Sequence, residues 1–161
     1  MPHRPVHRRL LLLALLPLTT CLPSQAQETA AATATETAAY APRTGDDWID
    51  RALADIGDYA ARYPDGFVDE VSRYLDVPRD YAEAMLAQPG WRAGDIHFAC
   101  NLAKVAGRAC REVVRAWSRD HENGWRGVAK DFEVPPGAAG YRQIRETIRA
   151  SYAHWARPLP Q

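Results

Sequence analysis

Cys100 and Cys110 are the residues of this 161-residue chain whose type and spacing could most directly do chemistry. Each falls on one of two consecutive helical stretches that meet at Gly107. The nine residues between them can close a loop, and a disulfide requires Cα atoms within about 7 Å of each other. The spacing is lopsided: Cys100 lies seven residues before Gly107 and Cys110 three after it. Two outcomes stay open, a bridge across the helix corner or two small side chains buried separately in the core. A C-x9-C pair is not a metal signature, and the C-x-x-C spacing of a thioredoxin-like redox site is missing.

Other reactive side chains are sparse. His97, His121 and His154 show no His-x3-His or paired-cysteine spacing, so no metal site is expected. Asp95 and His97 are two apart and face different sides of a helix. Asp120, His121 and Glu122 form a polar turn expected in solvent. Ser72, Ser118 and Ser151 fall inside helices, without the Gly-x-Ser-x-Gly elbow of a nucleophile. Among the acids, Glu112 and Glu146 sit mid-helix and are the candidates for a lone-glutamate hydrolase. No cofactor is implied.

The surface feature that could bind is basic. Arg111, Arg115 and Arg119 are spaced four apart on one helix, and Arg108 extends that region. Arg142, Arg145 and Arg149 make a second stripe on the last helix. Forked guanidinium groups suit phosphate and carboxylate partners. The competing expectation is an ordinary solvated face that pairs with the aspartates of the first two helices.

The ends of the chain say where such a surface would work. Arg4, Arg8 and Arg9 precede an apolar run from Leu10 to Leu18, and Ser24-Gln25-Ala26 follows. These are the three parts of a secretory signal, which makes residues 1–26 a signal peptide. The run is shorter than the about 20 residues that span a bilayer. Leu18-Thr19-Thr20-Cys21 gives a minor alternative, a lipid anchor at Cys21, although Thr20 departs from the small residue such signals carry. Residues 27–42 are Ala/Thr-rich, offer no apolar face and read as a flexible linker. One helical domain is expected over 43–157, with a short tail at 158–161. The whole chain balances 20 basic against 20 acidic residues. Loss of the signal leaves 17 against 20, a net charge of −3, which argues against a nucleic-acid partner.

The elements that must position these residues are helices. Apolar residues recur at helical spacing in Ile49, Leu53, Ile56 and Ala60; in Phe67, Val68, Val71 and Leu75, after a cap at Asp65; and in Ile96, Ala99, Ala103 and Ala106. They recur again in Cys110, Val113, Val114 and Trp117; in Trp125, Val128, Ala129 and Phe132; and in Tyr141, Ile144, Ile148, Tyr152 and Trp155. No stretch alternates as a strand would. The expectation is an all-α bundle of six or seven short helices.

One octet is written twice, VSRYLDVP at 71–78 and VAKDFEVP at 128–135, with a weaker copy, LAKVAGRA, at 102–109. Each places two apolar residues on one helix face and then a turn, with Pro78 and Pro135 starting the next element. This is helix-turn-helix grammar. The second helix of the first copy, however, carries Asp80 and Glu83 against Arg79, which repels phosphate, so the corners are read as packing units. A second echo sets Gly90-Trp91-Arg92 against Gly124-Trp125-Arg126. Those rings either plug the core at helix starts or stand exposed to stack on sugar.

The run GDIHFACNLAKVAGRACREVVRAW, followed by GWRGVAKDFEVPPG, resembles a group of small exported bacterial proteins of unknown function that share a GWR-x-VAK-like helical motif. The resemblance covers Pro89 to Gly137. It implies an all-helical exported domain and brings no activity, cofactor or catalytic residue with it. Together these features point to an exported, periplasmic or secreted, non-enzymatic domain that binds a protein or an anionic envelope component. The alternative is a small envelope hydrolase using an acidic residue outside any recognised motif.

Overall fold

The computed structural model describes residues 40–161. Residues 1–39, with the expected signal peptide, Cys21 and most of the Ala/Thr-rich linker, lie outside the described residues. Seven helices follow in order among those described: α1 (Asp47–Arg62), α2 (Pro64–Tyr74), α3 (Arg79–Ala87), α4 (Ala93–Ala106), α5 (Cys110–Arg119), α6 (Gly124–Asp131) and α7 (Ala139–His154). They form one all-α unit with no strand among the described residues.

The helix termini follow local chemistry. Asp46 caps α1, its carboxylate accepting from the backbone N–H groups of Trp48 and Ile49 at 3.1 Å each, which satisfies donors a helix start leaves orphaned. α2 begins differently from the expected Asp65 cap. Pro64 is its first residue and Tyr63 its cap position, with no side-chain cap bond; at this first position the missing N–H of proline costs nothing, because it would have no partner within the helix. Pro78 stands at the cap position of α3, one residue earlier than expected.

The helix α4 organises the rest. Every residue from Ala93 to Ala103 is buried, polar ones included. The apolar stripe Ile96–Ala99–Ala103 is inside as expected, but so is the opposite side, and Ala106 at the end is half-exposed. The helix packs against α1, α2, α3, α5 and α7. Gly94 permits the closest approach: a Cβ there would run into the carbonyl oxygen of Leu53 on α1.

The repeated octet makes the corners through its sixth position. That residue adopts a left-handed backbone in all three copies: Asp76 (φ 57°), Glu133 (φ 60°) and Gly107 (φ 66°). Behind Gly107, the Arg108 N–H donates to the Ala103 carbonyl at 2.8 Å; behind Glu133, the Val134 N–H donates to the Ala129 carbonyl at 2.9 Å. Both close the helix by a six-to-one bond. Val71, Leu75, Val77, Val128 and Val134 are buried, so the turn valines plug the core; Phe132 is half-buried. The prolines follow the bend. After Pro135 the chain runs on before α7 starts at Ala139, so the second octet does not pass straight into a helix.

The termini of the domain are tied down. Tyr40 and Pro42, expected in the linker, belong to the folded unit. The Tyr40 hydroxyl donates to Asp95 at 2.8 Å, and the Trp125 N–H donates to the Pro42 carbonyl at 3.0 Å. α7 is clamped to α1 by two arginine–carboxylate forks. Arg145 donates to both oxygens of Asp46 (2.8 and 2.6 Å), and Arg157 to both oxygens of Asp55 (2.8 and 2.5 Å). Such bidentate pairs fix geometry as well as charge.

Ile148 is fully buried where α7 meets this core. Ile148→Ala is expected to lower unfolding free energy by about 2 to 5 kcal/mol in denaturant titration. The left-handed positions give a second expectation. Gly107→Ala costs about 1 kcal/mol or more, whereas Glu133→Gly leaves stability unchanged or raises it by up to about 1 kcal/mol, because only glycine occupies that region freely.

Candidate functional site

The two basic stripes have different fates. On α7, Arg145 is spent on Asp46, and Arg149 pairs with Glu146 at 2.6 Å; both guanidinium groups also lie over the Trp48 ring, at 5.3 and 5.0 Å. Only Arg142 of that stripe is exposed without an acid among the described residues. Of the second stripe, Arg145 is thus committed to bracing, Arg149 sits in an exposed pair on its own helix, and Arg142 stays unpaired at the surface among the described residues.

On α5 the outcome is the reverse. Arg111, Arg115 and Arg119 are exposed, and none has an ion-pair partner among the described residues. Arg108 reaches Glu112 at 3.8 Å, a loose surface pair. The stripe borders two recesses. One, of about 340 Å³, is lined by Arg108, Glu112, Arg115, Arg119 and the half-buried Phe132. The other, of about 380 Å³, lies on the α3 side and includes Arg108, Arg111, Lys104 and Tyr81. The Tyr81 hydroxyl is held above its usual range by burial, which outweighs the opposing pull of Arg115 and Arg111.

Cys100 and Cys110 come together. Their Cα atoms are 4.4 Å apart, at disulfide distance, with Cys100 fully buried on α4 and Cys110 half-buried at the first position of α5. The Gly107 corner folds α5 back sharply enough to overcome the lopsided spacing. Both cysteines line the 380 Å³ recess.

The acids named for hydrolysis are open to solvent and paired: Glu112 with Arg108, Glu146 with Arg149. The buried acids are others. Glu70 accepts from His154 Nδ1 at 3.0 Å to each oxygen. Asp95 accepts from the Tyr40 hydroxyl (2.8 Å), the Trp125 indole N–H (2.6 Å) and the backbone of Arg92. Burial holds the Asp95 carboxyl above the usual carboxylate range despite those donors. Glu70 and Asp95 therefore work as internal brackets. Nothing in hydropathy spacing marks them, because a buried acid in a helix reads as a polar-face residue until its donors are known.

His97 is likewise sealed. Its Nε2 lies 3.1 Å from Ser151 Oγ, whose hydroxyl donates to the Thr147 carbonyl at 3.2 Å. That network assigns the proton to Nε2 and leaves Nδ1 buried without a partner. Although serine and histidine meet, both are closed to solvent, so no substrate reaches them. Ser118 is satisfied by the Val114 carbonyl at 2.9 Å. His121 is exposed, with Nδ1 3.0 Å from the Trp117 carbonyl. No cluster of metal-ligating side chains occurs among the described residues. Of the paired tryptophans, Trp125 is fully buried and stacks on Trp117 at 4.0 Å, while Trp91 is half-buried.

His97 gives a pH expectation. Burial lowers its pKa from 6.5 to about 4. The unfolded chain then binds the extra proton first, so stability is complete above about pH 6.5 and falls as pH drops toward 4, by about 3 kcal/mol from this residue. Asp95, with its raised pKa, acts in the opposite direction. Chemical denaturation of wild type and His97→Asn between pH 7 and 4.5 is expected to show a smaller stability loss in the variant.

No helix among the described residues is long and apolar enough to cross a membrane. Comparison of the chain with protein-family models, curated proteins and solved structures returns no match.

Proposed function

We propose that the chain is an exported, non-enzymatic helical domain that binds an anionic partner, a protein or an envelope component, through α5. One observation carries this reading: Arg111, Arg115 and Arg119 stand exposed on one helix without acids among the described residues. Several cations elsewhere are matched, Arg79 by Asp65, Asp69 and Glu83, Lys104 by Asp76, Arg145 by Asp46 and Arg157 by Asp55; what sets α5 apart is that its unpaired arginines recur every four residues along one exposed helix face. An unmatched row in a chain with acids to spare is complementary to negative charge outside the molecule. The leader-like start and the resemblance of residues 89–137 to small exported proteins supply the compartment. The hydrolase alternative gains nothing from Glu112 and Glu146, which face water in ion pairs.

The test uses the full chain with vesicles of phosphatidylglycerol, vesicles of phosphatidylcholine, and polyglutamate as a soluble acidic probe. Binding to one or both anionic probes is expected and should weaken as salt rises, because surface charges are screened over about 10 Å at 0.1 M. Replacing Arg111, Arg115 and Arg119 by Glu should weaken anionic-vesicle binding by about 100-fold or more, at about 1 kcal/mol per basic residue, with unchanged helical circular dichroism. Equal binding by wild type and variant overturns the proposal, as does wild-type indifference to both anionic probes.

A further inference from the structure

The recess between α3 and α5 has a floor that the binding reading does not use. Its walls are Leu75, Val77, Pro78 and Tyr81 on one side and Ala109 and Arg111 on the other, and both Cys100 and Cys110 line it. Its volume of about 380 Å³ falls in the range of small-molecule sites. The two sulfurs are unequal. Cys100 is sealed in the core, whereas Cys110 is half-buried and opens α5, a ten-residue helix. A thiolate there is favoured by the free N–H groups of the helix start. Three cations line the same recess. Lys104 is held by Asp76 at 3.1 Å and by the Tyr74 carbonyl at 2.8 Å, and Arg108 leans on Glu112 at 3.8 Å. Arg111 has no acid of its own among the described residues, and Asp80 is the other acid in the lining.

We infer that this recess is a thiol–disulfide exchange site for a small anionic thiol, with Cys110 the sulfur that exchanges and Cys100 the sulfur that resolves. The thiolate of the incoming molecule attacks Cys110 Sγ. The Cys110–Cys100 bond breaks, and its electron pair leaves on Cys100, which takes up the proton released by the attacking thiol. Cys110 is then in mixed disulfide with the ligand. A second thiol molecule attacks the ligand's sulfur in that bond, and the electron pair returns to Cys110 with the second proton. The protein disulfide gains two electrons, and two thiols become one disulfide. Running backwards, the Cys110 thiolate opens a small disulfide and Cys100 displaces it. Only Cys110 serves the first step, because Cys100, although it backs the recess, has no solvent-exposed surface. Arg111 holds the ligand's negative group. The inference is independent of macromolecular binding by α5, which also needs Arg115 and Arg119.

The test uses the native full chain carrying Cys21→Ser, so that only two sulfurs are read. With reduced glutathione, the wild-type pair is expected to open without denaturant and to pass through a glutathione adduct at Cys110, located by peptide mass. Glutathione should be favoured over uncharged 2-mercaptoethanol by about tenfold relative to their rates with an open-chain disulfide. Arg111→Gln removes that preference, while Arg115→Gln with Arg119→Gln keeps it. As a check that does not need the bridge, the free thiol of Cys100→Ser should exchange with oxidised glutathione about tenfold or more faster than that of Cys110→Ser, both variants being confirmed as helical. Opening of the pair only at denaturant concentrations that unfold the helices overturns the inference. So does an adduct on Cys100, or equal treatment of charged and uncharged thiols.

Discussion

A helix enclosed on all sides is the constraint from which the rest of this structure follows. α4 is buried without interruption from Ala93 to Ala103, so it has no face on which to leave a polar group in water. Burying an unpaired polar group costs a few kcal/mol, and each polar residue of α4 therefore recruits a neighbour. Asp95 draws in Tyr40 and Trp125, which ties the chain entering the domain and the start of α6 to one carboxylate. His97 meets Ser151, and Asn101 donates to the Ile144 carbonyl at 3.2 Å, fixing the register of α7. Cys100 holds α5. The polar residues of the core thus act as addresses for the helices around it.

The division of arginines on the surface is a consequence of that arrangement. With α7 set in register by α4, Arg145 and Arg157 reach Asp46 and Asp55 in paired forks. Their charge is consumed in holding α7 to α1. α5 folds back from Gly107 to pack on α4 and α6 rather than on α1, and its arginines find no partner there. Two stripes alike in sequence differ in availability because one lies beside the acidic helix and the other does not.

Much of this fold is legible in the sequence. The core faces of α1, α2, α6 and α7 follow from apolar spacing, and the three corners follow from the repeated octet. The chemical detail of the corners is not legible, because Asp76 and Glu133 take a backbone that glycine prefers, each followed by a buried valine. The all-round burial of α4 is hidden for a related reason. Asp95, His97 and Asn101 read as a polar face, and a single sequence does not tell a solvated polar side chain from one bonded to a distant tyrosine or serine. Charge spacing located the free arginines of α5 but also flagged those of α7, since pairing across nearly a hundred residues leaves no local mark. The spacing of the cysteine pair leaves the bridge open for a geometric reason: the level at which two hairpin residues meet depends on how sharply Gly107 bends the chain.

The enclosure of α4 is tested most directly by native-state hydrogen exchange of the folded chain. The backbone amides from Phe98 to Ala103 are predicted to exchange last, with a free energy equal to that of global unfolding, since α4 is exposed only when its covering helices leave. Exchange of those amides through local opening, faster than the central amides of α1 and α7, contradicts the account.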